Sequence, residues 1–403
     1  MTAASRPGVP WRRLLPTALI PNVLHGAAQG AAVPTIPLAA VSLTGSSATA
    51  ALVAAMLTVG QLPLTLPAGW LVARFGERPA MLAGTAATGS GALCAYLASS
   101  PAILTLGVLL IGVGVAVFAM ARHAWITASV AGVVRGRSLA ALAGATRLGM
   151  FAGPFLAAAA FQLCGEARGG FLTVVAMSGL LAVVVSCVSF PKPDGGETEP
   201  RQSPNVLRTM WQRRDVLLRL GLTISVVSTM RHTRRILVPL VGTSVGLDDV
   251  TVAVVMGLAS GVDFSLFYLG GVVADRWGRL PVALSALVGF GLSHLGLALA
   301  TQLPAGQWWY LASTMVMAMA NGWSGGVVAT VGSDLADPRS PAPFLSSWRL
   351  TTELGSAVAP LAVAALAGAI SLPAACAMLA ILAGAGAAAL PSSFRRHLPG
   401  ELS

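Results

Sequence analysis

Charge is what this sequence has least of. Only 10% of its 403 residues are charged, against about 25% in an ordinary soluble domain. Hydrophobic residues make up 55% of the chain, and the mean hydropathy is +0.78. Too few charged side chains remain to cover a surface that faces water. The composition therefore excludes a soluble domain and indicates a membrane protein along its whole length.

Motifs for metal, cofactor or nucleotide chemistry are also missing. No Walker-type phosphate loop occurs, so ATP is not expected as a fuel within this chain. The cysteines lie in separate apolar segments without C-x-x-C spacing, which argues against a zinc site or a disulfide framework; they are Cys94, Cys164, Cys187 and Cys376. We therefore expect no enzyme activity and no bound cofactor or metal.

Long apolar runs are what the chain has in abundance. A transmembrane helix needs about 20 residues, and runs of about that length recur along the sequence. The first run follows Arg12 and Arg13 but continues past any plausible signal cleavage site, so we expect it to stay as a helix. The pattern predicts an all-α polytopic fold with twelve transmembrane helices, near residues 14–43, 47–73, 79–98, 102–129, 138–163, 170–190, 216–242, 249–274, 280–301, 307–331, 341–369 and 372–391.

The basic residues indicate sidedness. A net charge of +11 would suggest nucleic acid binding in a soluble chain, but in membrane proteins arginines concentrate on the cytoplasmic side. Eighteen of the 25 basic residues, including the single lysine Lys192, fall on alternate connections between apolar runs, whereas Arg168 lies on the opposite side. We expect no nucleic acid partner, a multi-pass location in the cell (plasma or inner) membrane, and cytoplasmic termini.

The sequence repeats itself at a constant spacing of 202 residues. Residues at this spacing include Pro37 and Pro239, Gly69 and Gly271, Pro79 and Pro281, and Arg147 and Arg349. An offset held over more than a hundred residues predicts two homologous halves with parallel topology, so that one chain would suffice as a monomer. The expected boundaries are 1–190 for an N-terminal six-helix half, 191–214 for a cytoplasmic linker and 215–403 for a C-terminal six-helix half.

One short phrase occurs in both halves, as GWLVARFGERPA from Gly69 and as GVVADRWGRLP from Gly271. It resembles the signature loop of the major facilitator superfamily, and the resemblance covers essentially the whole chain. The second copy matches the pattern, whereas the first has Ala73 where the family has a carboxylate. Its glycines are expected to let helices and a tight turn approach closely, and its arginines to anchor at the interface. The residues of this gating loop are Gly69, Arg74, Gly76 and Arg78, and Gly271, Asp275, Arg276, Gly278 and Arg279.

The fifth run contains a second motif. Gly149, Gly153 and Pro154 resemble the core of the antiporter signature of drug:proton antiporter-like exporters, although Ala157 and Ala158 stand where that pattern has glycines. The alternative is a generic packing seam, since small residues at this spacing let helices pack tightly. The resemblance implies alternating access, a small-molecule substrate and, through this motif, export.

Two carboxylates lie deep within the apolar runs, Asp263 and Glu353. A carboxylate within the membrane is costly unless it is paired or hydrated, so such a residue usually has a function. Both are therefore candidates for proton coupling. Asp263 is the better one, because its equivalent in the first half is the neutral Gln61. The alternatives are structural: Asp263 neutralises Arg231 or Arg349, and Glu353 pairs with Arg349 four residues before it.

Arginines outnumber acids within the runs, which favours an anionic or neutral amphipathic substrate. In the resembled fold, spans one, four, seven and ten line the cavity. The substrate-binding candidates are Arg231, Arg147, Arg349, Gln29, His25 and Asn321, and a pocket wall is expected from Trp125, Phe264, Tyr268 and Trp323. The arginines could instead bind helix ends or lipid phosphates.

The expected function is therefore proton-coupled efflux of small amphipathic or anionic compounds by alternating access, within the lipid bilayer. Two alternatives remain, a proton-coupled importer of an organic anion and a non-cycling receptor or lipid-handling protein. The resemblance also implies that the loop carboxylate holds the cytoplasmic face shut. Asp275 is expected to act as this latch on the N-terminus of the fifth span, near Arg135 and Arg137, whereas Ala73 leaves the first half without one.

Overall fold

A computed structural model describes residues 14–61, 71–72, 74–129, 132–188, 206–337 and 341–398. Within these ranges the chain is helical and contains no strand. The helices are α1 (Ile20–Thr44), α2 (Ser47–Gln61), α3 (Glu77–Tyr96), α4 (Pro101–Ser129), α5 (Gly132–Cys164), α6 (Gly170–Cys187), α7 (Val206–Gln212), α8 (Leu222–Ser244), α9 (Asp249–Trp277), α10 (Arg279–Ala300), α11 (Gly306–Trp323), α12 (Val327–Leu335), α13 (Pro341–Ala369) and α14 (Leu372–His397). The expected all-α polytopic class is confirmed.

The long helices coincide with the apolar runs, whereas the short helix α7 lies in the segment expected as the linker. In the described ranges, eight helices are long and apolar enough to cross a membrane, and α2 is a shorter apolar helix. A π-helical turn, Leu15–Leu19, leads into α1, and another, Leu217–Gly221, leads into α8. One run differs from its prediction, because the segment expected to span 307–331 is divided into α11 and α12 at residues 324–326.

The first compact unit comprises Met1–Thr44 and Met56–Glu197. Within it α1 packs against α5 and α6, while α3 packs against α4 and α6. The α1–α5 contact is unusually close because both helices present glycine there. A Cβ atom on Gly30 would lie 2.7 Å from the Met150 carbonyl oxygen, and one on Gly153 would lie 2.5 Å from the Ala27 carbonyl oxygen. Any larger residue would force the two backbones apart.

The second unit comprises Gly45–Ala55 and Thr198–Ser403. Here α8 packs against α13 and α14, α10 packs against α11 and α14, and α9 packs against α11. Gly270 and Gly322 allow the α9–α11 approach, since a Cβ atom on Gly322 would lie 2.9 Å from the Cα atom of Asp263. This close contact brings the middle of α9 against the end of α11, and the chemistry of the second unit is concentrated at that contact.

Candidate functional site

Asp263 is the central residue of α9, whose bounds are Asp249–Trp277. Its Oδ2 atom lies 3.5 Å from an Nη2 atom of Arg234 on α8 and accepts a hydrogen bond of 2.6 Å from Asn321 Nδ2 on α11. The side chains of Arg234 and Asp263 are only 15% and 13% exposed. Because little water reaches this ion pair, it is screened much less than a surface pair. Three helices therefore meet at one carboxylate.

Arg231 extends this cluster to the break between α11 and α12. Its Nη2 atom donates to the backbone carbonyl of Asn321 at 3.2 Å. At the break, the Gly325 N–H bonds to the Gly322 carbonyl at 3.1 Å instead of continuing the α-helical ladder to Asn321. The Ser324 hydroxyl also donates to Asn321 O, at 3.3 Å. A guanidinium at a helix C-terminus is favourable because the exposed carbonyls carry partial negative charge. Arg231 thus caps α11 next to the Asp263 pair.

The cluster carries a surplus of positive charge. Arg231, Arg234 and Arg235 are partly buried on α8, and Asp263 forms an ion pair with Arg234. His232, on the same helix, shares a hydrogen bond of 2.9 Å between its Nδ1 atom and the Ser228 carbonyl. An arrangement of this kind suits binding of an anionic group, or gain and loss of a proton at the carboxylate.

The first unit contains a different polar cluster, built on Arg122 of α4. Its Nη1 atom donates to the Asn22 side-chain oxygen of α1 and lies 3.5 Å from the Thr146 hydroxyl of α5. Thr146 itself donates to the same Asn22 oxygen at 3.2 Å. His25 lies one turn after Asn22 on α1, and Phe118 lies one turn before Arg122 on α4; their rings stack with centroids 4.2 Å apart. His25 was predicted from the sequence, whereas Asn22 and Thr146 were not; the available signal was an amide, Asn22, within an apolar run. Its side chain is fully buried in the structure.

The other predicted residues differ in exposure. Arg349 and Glu353 are exposed, and among the described side chains no ion pair joins them, although their spacing on α13 allows one. The structure pairs Asp263 with Arg234 of α8, a partner that the sequence analysis did not name beside Arg231 and Arg349. Arg147 and Gln29 are partly buried on α5 and α1.

The aromatic residues of the expected pocket wall differ in exposure and in contacts. Phe264 and Tyr268 are exposed on α9, at 40% and 76%, whereas Trp125 is buried on α4. The indole of Trp323 donates to the Ser285 hydroxyl on α10 at 2.9 Å.

The two copies of the loop phrase share a backbone conformation. Gly76 has φ 88° and ψ 168°, and Gly278 has φ 91° and ψ 164°. A positive φ of this size strongly favours glycine, so the repeated glycine specifies the same turn before α3 and before α10. Gly69 and Ala73 lie outside the described residues. Arg74 is exposed beside the ring of Phe75, and Arg276 is exposed at the end of α9.

The other loop residues differ in their partners. Arg78 donates through Nε to the Val185 carbonyl at 3.1 Å, which ties α3 to the end of α6. Arg279 lies 3.0 Å from Asp334 of α12 and 3.6 Å from Asp275. Asp275 is 75% exposed, and the side chains expected to form its latch contact, those of Arg135 and Arg137, lie outside the described side chains. Gly271 faces open space, and its neighbour Gly270 makes the close helix contact instead.

The glycines of the antiporter-like motif form the α1–α5 seam. Gly149 packs on Val23, Gly26 and Ala27, and Gly153 packs on Ala27, Gly30 and Ala31 of α1. The helix continues through Pro154. The packing interpretation of this motif thus has a defined partner helix, and the glycines of α1 that complete the seam are Gly26 and Gly30.

Comparisons with known proteins agree with this architecture. The nucleoside transporter NupG matches with a TM-score of 0.74 and 12% identity over 94% of this chain and 98% of that one. The peptide transporter POT in complex with sulfate matches with a TM-score of 0.73 and 13% identity over 98% and 96%. A D-xylose-proton symporter matches with a TM-score of 0.63 and 16% identity over 94% and 95%.

Sequence comparison is more specific. An uncharacterised MFS-type transporter of Bacillus subtilis (strain 168), YdeG, is 26% identical over 306 residues, which cover 68% of each chain. The family model of the Major Facilitator Superfamily matches residues 19–342, most of the chain. Both comparisons indicate a membrane transporter rather than an enzyme. The chain therefore belongs to the Major Facilitator Superfamily.

Proposed function

We propose that the chain exports small amphipathic or anionic compounds in exchange for protons, by alternating access in the cell membrane. The Arg234–Asp263–Asn321 cluster is the observation that carries the proposal. It places an ionisable carboxylate at the centre of a transmembrane helix, where a proton taken from one side is released to the other. Two halves of six spans, with cytoplasmic termini and a single chain as the transport unit, complete the proposal.

Proton binding at Asp263 would act on three helices at once. While the carboxylate is charged, it attracts Arg234 of α8 and accepts the amide N–H of Asn321 on α11. Protonation removes the negative charge and weakens both contacts. Arg231 holds the carbonyl of the same Asn321, so the loosened contact lies next to the α11–α12 break. Because the helix is interrupted beside the coupling site, proton binding there can be linked to movement of the α11–α12 segment.

The surplus of arginines over carboxylates supports an anionic or amphipathic substrate, with Arg231, Arg147, Arg349, Gln29, His25 and Asn321 as proposed contacts. It also supports the second candidate, proton-coupled import of an organic anion. Glu353 is proposed as a secondary proton site. Direction distinguishes the two candidates: cells that contain the protein should accumulate less of an exported compound than cells that lack it, and more of an imported one.

A transport assay with purified protein in liposomes tests the coupling. We expect flux of a dye or organic anion to follow an imposed pH gradient and to stop when a protonophore is added. Asp263→Asn should abolish gradient-driven flux while the protein remains monodisperse. Asp248→Asn is the matched control, since it makes the same change at the exposed start of α9. Normal proton-driven flux in Asp263→Asn would overturn the proposal, and binding without flux would favour a non-cycling receptor.

A further inference from the structure

Arg122 is a partly buried cation in a half of the sequence that has few acidic residues. Residues 1–190 contain two acidic residues, Glu77 and Glu166. Glu77 is the first residue of α3, and Glu166 is bonded to Arg168 at 2.8 Å. Among the residues that the structure describes, Arg122 forms no ion pair. A charge within a membrane-spanning helix costs several kcal/mol unless something compensates it, so this arrangement needs an explanation.

The partners that Arg122 does have are neutral. Besides the Asn22 oxygen and the Thr146 hydroxyl, its Nη2 atom lies 3.3 Å from Nε2 of His123. Its Nε atom is buried and has no hydrogen-bond partner within the described residues, and the same is true of Nε2 of His25. His25 is 3% exposed. Two buried nitrogens without partners in one cluster are unusual, and a bound ligand is one of the few explanations.

We infer that the Arg122 cluster is a binding subsite for an oxyanion, the carboxylate, sulfonate or phosphate group of the transported solute. The guanidinium supplies the charge and N–H donors, and His25 in its Nε2–H tautomer supplies another donor. Asn22, which donates to the Ala18 carbonyl at 2.6 Å, and Phe118, which stacks on His25, hold these groups in place. That the bound anion is the transported solute rests on the proposed function, whereas anion binding itself requires no proton coupling.

The most informative variant introduces a carboxylate beside Arg122. Asn22→Asp places a carboxylate of the same size against Arg122 without removing the arginine, so it should compete with the ligand. Arg122→Lys keeps the charge but loses the planar fork, so its affinity should fall less than that of Arg122→Gln. Arg395→Gln is the control, because it removes one charge from the exposed end of α14.

The measurement is the melting temperature of the purified protein in an uncharged detergent, at constant ionic strength. The probes are benzoate and inorganic phosphate, with neutral benzamide as the comparison. We expect at least one anion, and not benzamide, to raise Tm with saturation in the wild type and in Arg395→Gln. The apparent affinity should fall about tenfold or more in Asn22→Asp and in Arg122→Gln.

Three outcomes would overturn the inference. One is the absence of any saturable anion effect in the wild type, and another is unchanged affinity in Asn22→Asp. The third is stabilisation by added phosphatidylglycerol alone, lost in Asn22→Asp, which would assign the site to a lipid headgroup. Asp263→Asn separates this inference from the proposed function, because it should keep anion binding whether or not it stops proton-driven flux.

Discussion

The two halves of the sequence use the same helix contact with different residues. At the α1–α5 seam four glycines meet, whereas the equivalent α8–α13 seam has hydroxyl and imidazole side chains at three of the four positions. The equivalent pairs, each 202 residues apart, are Gly26 and Ser228, Gly30 and His232, Gly149 and Thr351, and Gly153 and Gly355. The repeat therefore preserves the helix contact while it changes the closeness of the backbones and the chemistry between them.

Charge follows the same division. Arg231, Arg234 and Asp263 of the second half have Gln29, Ala32 and Gln61 as equivalents in the first. The first half instead carries Arg122, which bonds only to neutral groups among the described residues. Among the described residues, one half thus has a cation with a titratable partner, and the other has a cation that bonds only to neutral groups. The difference favours proton coupling in the second half and anion recognition in the first.

The largest expected effect is a loss of stability when alanine replaces a glycine at the α1–α5 seam, compared with the same change at the α8–α13 seam. A Cβ atom on Gly153 would lie 2.5 Å from both Ala27 O and Ala31 N, which are backbone atoms, whereas one on Gly355 would meet the Thr229 hydroxyl. Gly153→Ala should therefore cost about 3 kcal/mol or more, and Gly355→Ala about 1 kcal/mol. Size-exclusion profiles and Tm in detergent measure both.

Gly144→Ala is the control for this pair, because a Cβ atom at that position of α5 meets nothing within 4 Å. It should be neutral or stabilising by up to about 1 kcal/mol. Equal losses in Gly153→Ala and Gly355→Ala would show that the two seams are equally tight.

The second prediction sharpens the charge comparison. Asp263→Asn removes the carboxylate from Arg234 in a site that is 13–15% exposed, and should cost about 3 kcal/mol. The double variant Asp263→Asn with Arg234→Gln should recover part of that loss, since it removes both charges. Arg122→Gln should cost less than Asp263→Asn, because no acid is left behind. Thermal unfolding in one detergent compares all three, and additive losses in the double variant would refute the pairing.

The third prediction concerns the loop copies. Asp275 is 75% exposed and 3.6 Å from Arg279, which Asp334 also holds, so Asp275→Asn should change stability by less than about 1 kcal/mol. As a latch, however, Asp275 would bias the two-state carrier, and a loss of about 1.4 kcal/mol shifts such a population tenfold. In Asp275→Asn, cysteines placed in the proposed pathway should therefore be more accessible from the cytoplasm than in the parent protein.

Ala73→Asp, introduced into the Asp275→Asn background, should restore closure by supplying the carboxylate in the other loop copy. Asp248→Asn is the control at the opposite end of α9. Unchanged cysteine accessibility in Asp275→Asn would refute the latch.

The smallest effect concerns two equivalent helix caps. Asp248 accepts from the Thr251 N–H at 3.1 Å at the start of α9, and Ser46 accepts from the Thr49 N–H at 3.3 Å at the start of α2. Replacing either residue by Ala should cost about 1 kcal/mol. Hydrogen bonds from the Thr251 side chain and then its backbone lower the pKa of Asp248 from its ordinary value of 3.8.

The folded state therefore favours charged Asp248, and this contribution is present above pH 3.8 and lost as pH falls below it. The Tm difference between wild type and Asp248→Ala should be constant from about pH 5 to 8 and shrink below about pH 4. The difference for Ser46→Ala should not vary with pH, because a hydroxyl does not titrate there. A matching pH response in both variants would contradict the cap assignment.

Much of the fold was predictable because it depends on local sequence. Hydropathy alone located the helices, and the repeated Gly76 and Gly278 specified the same positive-φ turn in both halves. The division of one run at residues 324–326 was not predicted, although the sequence there is Ser-Gly-Gly, which is less apolar than the residues on either side. Its glycines mark a break only when the tertiary contacts are known: Gly325 packs against the Phe267 ring.

The sequence by itself determined that this protein is an all-α membrane protein with a 202-residue repeat, because hydropathy, spacing and turn glycines are properties of short stretches of chain. Only the tertiary structure decided that Asp263 pairs with Arg234 and that Arg122 bonds to Asn22 and Thr146. These side chains lie on different helices, tens of residues apart. Which of them meet depends on the helix faces that pack together, and close glycine contacts between helices fix those faces.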